Sequence, residues 1–439
     1  MRRSRSRLAG AALPASRKED LEHDLADLEF PERLLAGPSL RAGSESFDAH
    51  LDRLGALPDR IDPSALVSEL EASGLLGRGG AGFPVGRKWR AIAERRGGPA
   101  VVVVNGAEGE PASAKDRVLM TARPHLVIDG AILAADAIGA DEIHVYIGRE
   151  HEAAVASMAA AIEQRRLGQS RPIRLSRAPI GYVAGEASAA VNFINTGNAR
   201  PTTSPPRISQ KGVHGYPTLV QNVESLAYAA LIARFGAPWY RSMGRLGSPG
   251  TALITVTGAA MQQGVQEIEL GTTVGEIAGA LGATMSRVQA VVMGGYFGTW
   301  ATTAEAWDTP LDPSAMKAQG LAFGCGIVGL LPAGVCGVAA TAEIMTFMAA
   351  ESAGQCGPCV HGLRALGSTT SRIADGSASA RDLDDLERWT TQIPGRGACR
   401  HPDGAVQLMT SALNTFGDEF AYHARAGRCA VTGARVEAA

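Results

Sequence analysis

The chain has 439 residues, in which 42 lysines and arginines almost balance 44 aspartates and glutamates, and 45% of its side chains are apolar. At about 100–200 residues per domain that length accommodates two to four cores, so wholesale disorder is excluded. The near-zero net charge provides no long-range field for a nucleic acid or an anionic membrane surface, so the partner has to be found from sites.

The first twenty residues carry Arg2, Arg3, Arg5 and Arg7 without the apolar run of a secretory leader. They read as a disordered basic tail or a start placed too early. The whole of 1–54 is a polar N-terminal extension that either wraps a partner or stays mobile. Periodic apolar residues predict a helix over 64–76 that runs into the loop Gly77-Arg78-Gly79-Gly80-Ala81-Gly82-Phe83-Pro84, followed by a helix over 88–96. Residues 101–104 form a β-branched run, a buried strand, ending in Asn105-Gly106-Ala107-Glu108-Gly109-Glu110. A helix over 124–137, a strand over 143–147 and a helix over 153–165 continue the alternation, which is that of an α/β fold with a parallel sheet.

From about residue 251 the texture changes to short strands over 253–257, 265–270 and 290–293 with one helix over 274–281, a small α+β module. Residues 318–342 lack charge and reach spanning length, but six glycines and Pro332 interrupt them. They read as a buried strand, a turn and a helix, so no direct membrane insertion is expected and the location is expected to be cytoplasmic. Helices over 341–351, 363–373, 380–392 and 404–424 complete a C-terminal helical bundle.

Successive glycines between 77 and 82 let backbone N–H groups converge on an anion such as phosphate, although the pattern matches neither the Walker nor the Rossmann spacing. A plain tight turn is the alternative. Lys88, a cation in the first turn of the following helix, favours the anion. The Asn105–Glu110 loop stands at the carboxyl end of a buried strand, where open α/β sheets bind ligands. Lys115, Asp116 and Arg117 beyond it read as a surface or loop-anchoring ion network, worth little on their own. Cys356 and Cys359 form C-x-x-C, and Cys399 lies in another glycine-flanked loop. Together they suit an iron-sulfur cluster or zinc, with a redox dithiol as the alternative for the pair alone. Cys325, Cys336 and Cys429 lack such spacing and read as small buried apolar residues.

In order, GRGGAGFPVGRKW, NGAEGEPASAKDR, GYVAGEASAAV, GVHGYPTLVQNVES and ESAGQCGPC resemble the NADH- and FMN-binding flavoprotein subunit of respiratory complex I. This is the NADH-quinone oxidoreductase F-subunit family, which includes flavin subunits of NAD-reducing hydrogenases and formate dehydrogenases. The resemblance covers roughly residues 55–425, and its departures make the chain a divergent member. It implies an FMN-binding α/β sandwich over 55–245, a β-grasp domain over 246–334 and a helical iron-sulfur-type domain over 335–430. It implies FMN held around Gly77, Arg78, Gly79, Gly80 and Gly82, by Lys88 and Asn105, by Tyr182, Gly185 and Glu186, and by Asn222, with Glu108 in the same strand-end loop. NAD(P)H would lie over the flavin near Phe83 and Glu110, and a 4Fe-4S cluster would sit in the helical domain. No general base is nominated, because hydride transfer to a flavin needs positioning.

The departures fall at four positions. The family's first cluster cysteine is Ala353 here, leaving Cys356, Cys359 and Cys399. A three-iron cluster, a further ligand such as His361 or His401, and an empty site all stay open. Ala107 stands where the family has an aspartate toward the ribityl chain, Ala187 where a second carboxylate faces the adenosine ribose, and Arg207 where an aromatic lies near adenine. The implied function is an electron-input flavoprotein passing single electrons to a cluster, to other electron-transfer subunits or to a ferredoxin-like protein. Exchange with a ferredoxin instead of NADH, and a degenerate scaffold role without catalysis, are the alternatives.

Overall fold

Four consecutive valines, Val101, Val102, Val103 and Val104, are fully buried, as a strand covered on both faces requires. They sit at the centre of the first of two units into which the chain divides, Phe30–Leu253 with Glu267–Gly271, and Ile254–Gln266 with the residues from Thr272 on. The computed structural model describes residues 30–57, 62–95, 98–166, 171–245, 247–379, 381–429 and 431. The basic stretch read at the start of the sequence lies outside them.

In the first unit, α1 (Phe47–Leu54), α2 (Pro63–Ser73) and α3 (Val85–Ala93) precede β1 (Ala100–Gly106). Next come α4 (Lys115–Ala122), α5 (Pro124–Ile138), β2 (Ala140–Gly148), α6 (Glu152–Arg165), β3 (Ile173–Ala178), α7 (Ala187–Thr196), β4 (Thr218–Asn222) and α8 (Val223–Arg241). The sheet has the order β3-β2-β1-β4, and every pairing is parallel. The chain therefore builds outward from β1 to β3 and returns to the other side of β1 with β4. That reversal opens a crevice between the carboxyl ends of β1 and β4.

Residues 30–54 are not the loose polar segment expected from their composition. The Glu267 carboxylate accepts the backbone N–H groups of Arg33, Leu34 and Leu35 at 2.9, 2.8 and 3.1 Å. Leu34 is fully buried, and the Arg123 guanidinium donates to the carbonyls of Leu35, Ala36 and Pro38. On α1, His50 is fully buried and meets Asp129 of α5 at 2.8 Å. Charge in this segment is consumed by specific partners, which composition cannot reveal.

The second sheet uses β5 (Thr251–Gly258), β6 (Gly264–Glu269), β7 (Val288–Met293), β8 (Thr299–Thr302) and β9 (Ile327–Pro332) in the order β6-β5-β9-β7-β8. β5 runs parallel to β9, and β7 pairs antiparallel with both β8 and β9, so this sheet is mixed. Three short helices connect it, α9 (Val274–Ala280), α10 (Thr303–Ala306) and α11 (Pro313–Ala318). The uncharged 318–342 stretch does become a buried strand, a turn and the start of a helix. The helical end of the chain comprises α12 (Gly337–Ala350), α13 (Arg364–Ala374), α14 (Asp382–Gln392), α15 (His401–Thr415) and α16 (Gly417–Ala426). The single helix expected over 404–424 breaks at Phe416, whose buried ring packs 5.3 Å from that of Trp300. Among the described residues no single helix is long and apolar enough to cross a membrane; one pair, α4 with α5, passes by length and composition but is bent by 97°.

Candidate functional site

The register of the first sheet sets Asn105, near the end of β1, directly beside Asn222, the last residue of β4. Both amides thus stand at the crevice where the strand order reverses. Asn105 donates from Nδ2 to the Gly185 carbonyl at 2.9 Å, and its Oδ1 accepts from Ala107 N at 3.3 Å. Asn222 donates to Asp116 at 2.6 Å and caps α8 by accepting from Glu224 N at 3.0 Å.

The glycine loop is closed at its neck by an antiparallel bridge between Leu76 and Pro84 and by the 2.9 Å bond from Gly77 N to Phe83 O. Gly80 and Gly82 adopt φ of 102° and 62°, and a Cβ placed on either would meet no protein atom within 4 Å. That open face is available to a ligand approaching the backbone. Gly79 lies against Asn222, its Cβ position 3.3 Å from the Asn222 Cβ, so loop and strand end share one site. Arg78 anchors the loop. Its N–H donates to Ser225 Oγ at 3.0 Å, while its buried guanidinium donates to Tyr240 OH and the Thr251 carbonyl. Phe83 is 56% exposed on the same loop.

Lys88 donates from Nζ to the Val220 carbonyl and forms no ion pair among the described residues. Burial alone lowers its pKa to about 8. A desolvated ammonium held only by a carbonyl is short of negative charge, which fits the anion that the glycine loop suggested.

The two strand-end loops pack backbone against backbone. A Cβ on Gly185 would lie 2.5 Å from the Ala107 carbonyl oxygen, and one on Gly109 would lie 2.8 Å from that of Tyr182. Tyr182 OH donates to Glu110 at 3.1 Å, tying the loops together. The other two acidic residues serve as helix caps. Glu108 accepts the N–H groups of Asp116 and Arg117, each at 3.2 Å, together with the Ser113 hydroxyl. Glu186 caps α7 through Ser188 N at 2.8 Å and Ala189 N at 3.1 Å. Ala107 and Ala187 pack against an apolar cluster containing Val101, Tyr146 and Val213. Arg207 is exposed.

Lys115 and Asp116 are not surface charges. Both are buried, and Lys115 meets Asp116 at 2.6 Å and Glu224 at 2.9 Å. Glu224 also stands 3.6 Å from Arg78. Burial works against the Lys115 charge, but the two carboxylates overcome it and raise its pKa. This network links the glycine loop, α4 and the start of α8, so of the two expected readings the loop-anchoring one holds and the surface one does not.

In the second unit a π-helical turn, Pro358–Leu363, holds Cys359, which is buried at 3% exposure. Burial, then the neighbouring Cys356 and Cys399, push its thiol up to about 12. Cys359 on this turn, Cys356 just before it and Cys399 in a separate loop are soft donors of the kind an iron-sulfur group takes. Ala353 offers no fourth donor. His401 donates from Nε2 to the Met348 carbonyl at 2.8 Å, and His361 is exposed.

Two family models match the chain, one described as the Nuo51 FMN-binding domain over residues 70–230 and one as the NADH-ubiquinone oxidoreductase-F iron-sulfur binding region over 339–423. The F 2 subunit of NADH-quinone oxidoreductase in Rhizobium meliloti (strain 1021) is 32% identical over 381 residues, covering 84% of this chain and 90% of that relative. The corresponding F subunit of Mycobacterium bovis is 33% identical over 386 residues, covering 84% and 86%. A crystal structure of an NAD+-reducing NiFe-hydrogenase in the air-oxidized state superposes with a TM-score of 0.78 at 32% identity; it covers 83% of this chain, which spans 63% of that hydrogenase chain. The chain belongs to the NADH-quinone oxidoreductase F-subunit family.

Proposed function

We propose that the chain is an electron-input flavoprotein that takes hydride from NAD(P)H onto FMN and passes single electrons onward. The observation carrying this reading is Lys88, a buried ammonium without a counter-charge among the described residues, beside β4 at the strand-order reversal. In this reading the backbone of Gly77, Gly79, Gly80 and Gly82 and the Lys88 ammonium take the flavin phosphate. Asn105 and Asn222 present amides to the ribityl chain from the strand ends. Arg78, Glu108 and Glu186 act chiefly by fixing the loops, since their polar groups are engaged by Tyr240, α4 and α7. Tyr182, Gly185 and Glu110 shape the wall on which the nicotinamide lies, with Phe83 at its rim. FMN, when bound, accepts two electrons from a hydride donor and releases them singly.

Cys356, Cys359 and Cys399 would ligate the iron-sulfur group that receives those electrons. The flavin and nucleotide domain is assigned to 55–245, the β-grasp domain to 246–334 and the iron-sulfur-type domain to 335–430. Its partners are other electron-transfer subunits or a ferredoxin-like protein, in the cytoplasm.

Anaerobic purification with added FMN tests the reading: a retained flavin spectrum reduced by NAD(P)H is expected, and a colourless chain that leaves FMN fluorescence unquenched refutes it. Ala187 and the exposed Arg207 support tolerance of a 2′-phosphate, because a carboxylate that would repel it is missing there. Flavin reduction by NADPH equal to or slower than that by NADH in stopped flow refutes a preference for NADPH.

A further inference from the structure

Cys336, His423 and Cys429 are separated by up to 93 positions in sequence, yet the structure brings their side chains together in the helical part of the second unit. All three are buried, and their ligand atoms lie within 4.8 Å of one another. Cys336 Sγ stands 3.4 Å from His423 Nε2. From ordinary Zn–S and Zn–N bond lengths, a tetrahedral ion separates sulfur from nitrogen by about 3.6 Å and sulfur from sulfur by about 3.8 Å. The observed spacing matches such a set.

Each donor is aimed by its own local structure. Cys336 is the N-cap of α12, where its sulfur accepts from Ala339 N at 3.4 Å, which fixes the direction of the sulfur. His423 lies in the last turn of α16, and its Nδ1 donates to the Ile373 carbonyl at 3.2 Å. That bond fixes the tautomer and leaves Nε2 with its lone pair toward the sulfurs, the usual support for a metal-bound imidazole. α16 then stops at Gly427, whose φ of 58° reverses the chain and returns Cys429 toward His423. Gly427 N bonds back to the His423 carbonyl at 3.1 Å.

We propose that Cys336, His423 and Cys429 form a structural zinc site, distinct from the Cys356, Cys359 and Cys399 group, that fastens the start of α12 to the end of α16 and the segment after it. Two soft sulfurs and one imidazole select zinc over hard cations. A bound zinc ion deprotonates its sulfurs outright. Cys336 and Cys429 are buried, as their lack of motif spacing suggested, and the proposal adds a ligand role to that burial.

The test uses the full chain carrying Cys356→Ser, Cys359→Ser and Cys399→Ser, so that the other thiol group cannot hold metal. Plasma mass spectrometry should find about one zinc per chain, falling below about 0.1 on further substitution of Cys336→Ser, Cys429→Ser or His423→Gln, while Cys325→Ser leaves it unchanged. In the same background, cobalt should give the thiolate charge-transfer and tetrahedral d–d bands, a readout that does not depend on the added variants folding. Absence of zinc with no such cobalt bands, zinc retained by all three added variants, or a Cys336–Cys429 disulfide in anaerobically prepared protein overturns the proposal.

Discussion

Replacing Lys88 with methionine should strengthen the flavin-free protein and weaken its hold on flavin. The pKa near 8 in the fold, against an ordinary 10.5, comes from burial. Below about pH 8 the amine is charged in both the folded and unfolded chain, so folding bears the full desolvation penalty, at most about 3 kcal/mol. Between about 8 and 10.5 the folded chain releases its proton first and the penalty shrinks, so stability gains with rising pH. Lys88→Met removes the penalty, so urea unfolding of the apo chain should show stabilisation of about 2–3 kcal/mol at pH 7 that fades toward pH 10.5. The same variant loses a charge-assisted bond to phosphate of about 1.5–3 kcal/mol, hence roughly 10- to 150-fold in FMN affinity by fluorescence quenching. An apo chain that Lys88→Met destabilises at pH 7, together with unchanged FMN affinity, refutes this account.

Gly185→Ala sets a methyl 2.5 Å from the Ala107 carbonyl, so the two strand-end loops must part. A loss of about 1–3 kcal/mol in stability and a larger loss in FMN retention are expected, read by thermal melting and quenching. Asp129→Asn leaves Arg165, Arg234 and His50 around a neutral amide and should cost about 3–5 kcal/mol in urea unfolding. Burial opposes ionisation of both Asp129 and Glu45, but hydrogen bonds from His50, with arginine charges, hold each at about 2. Their stabilisation is complete above the ordinary carboxylate range and disappears as pH falls from about 4 to about 2, so wild type should show an acid transition there that Asp129→Asn diminishes. Cys359→Ser should abolish iron binding in anaerobic protein while flavin content stays unchanged; equal iron content would remove Cys359 from the cluster assignment.

Periodicity was enough to read the parallel sheet and most helices, because β-branched runs such as Val101 to Val104 and 3.6-residue patterns are local signals. β4 and α8 escaped that reading for a local reason. Asn222 is at once the last residue of the strand and the cap of the helix, so the strand passes into the helix with no loop between them. The surface and loop-anchoring readings of Lys115 could not be separated from sequence because its partner Glu224 is over a hundred residues away, and a charge looks solvated until its counter-ion is known. The Cys336, His423 and Cys429 set was invisible for the same reason, whereas C-x-x-C announces itself.

These cases divide the site by what specifies it. Apart from Lys88, the features proposed to hold the phosphate are made of main chain, that is, a bridged loop with two positive-φ glycines, strand ends in fixed register and a capped helix start, all set by topology. The departures that the resemblance implies are side chains, Ala107, Ala187 and Arg207 on that frame and Ala353 in the second unit. Ala107 and Ala187 pack into an apolar cluster, so the backbone around them is supported without the missing carboxylates. In the proposed reading such a site would retain its grip on flavin phosphate while its preference for a nucleotide drifts, because the first depends on geometry that substitutions at these positions leave in place and the second on charges that they remove.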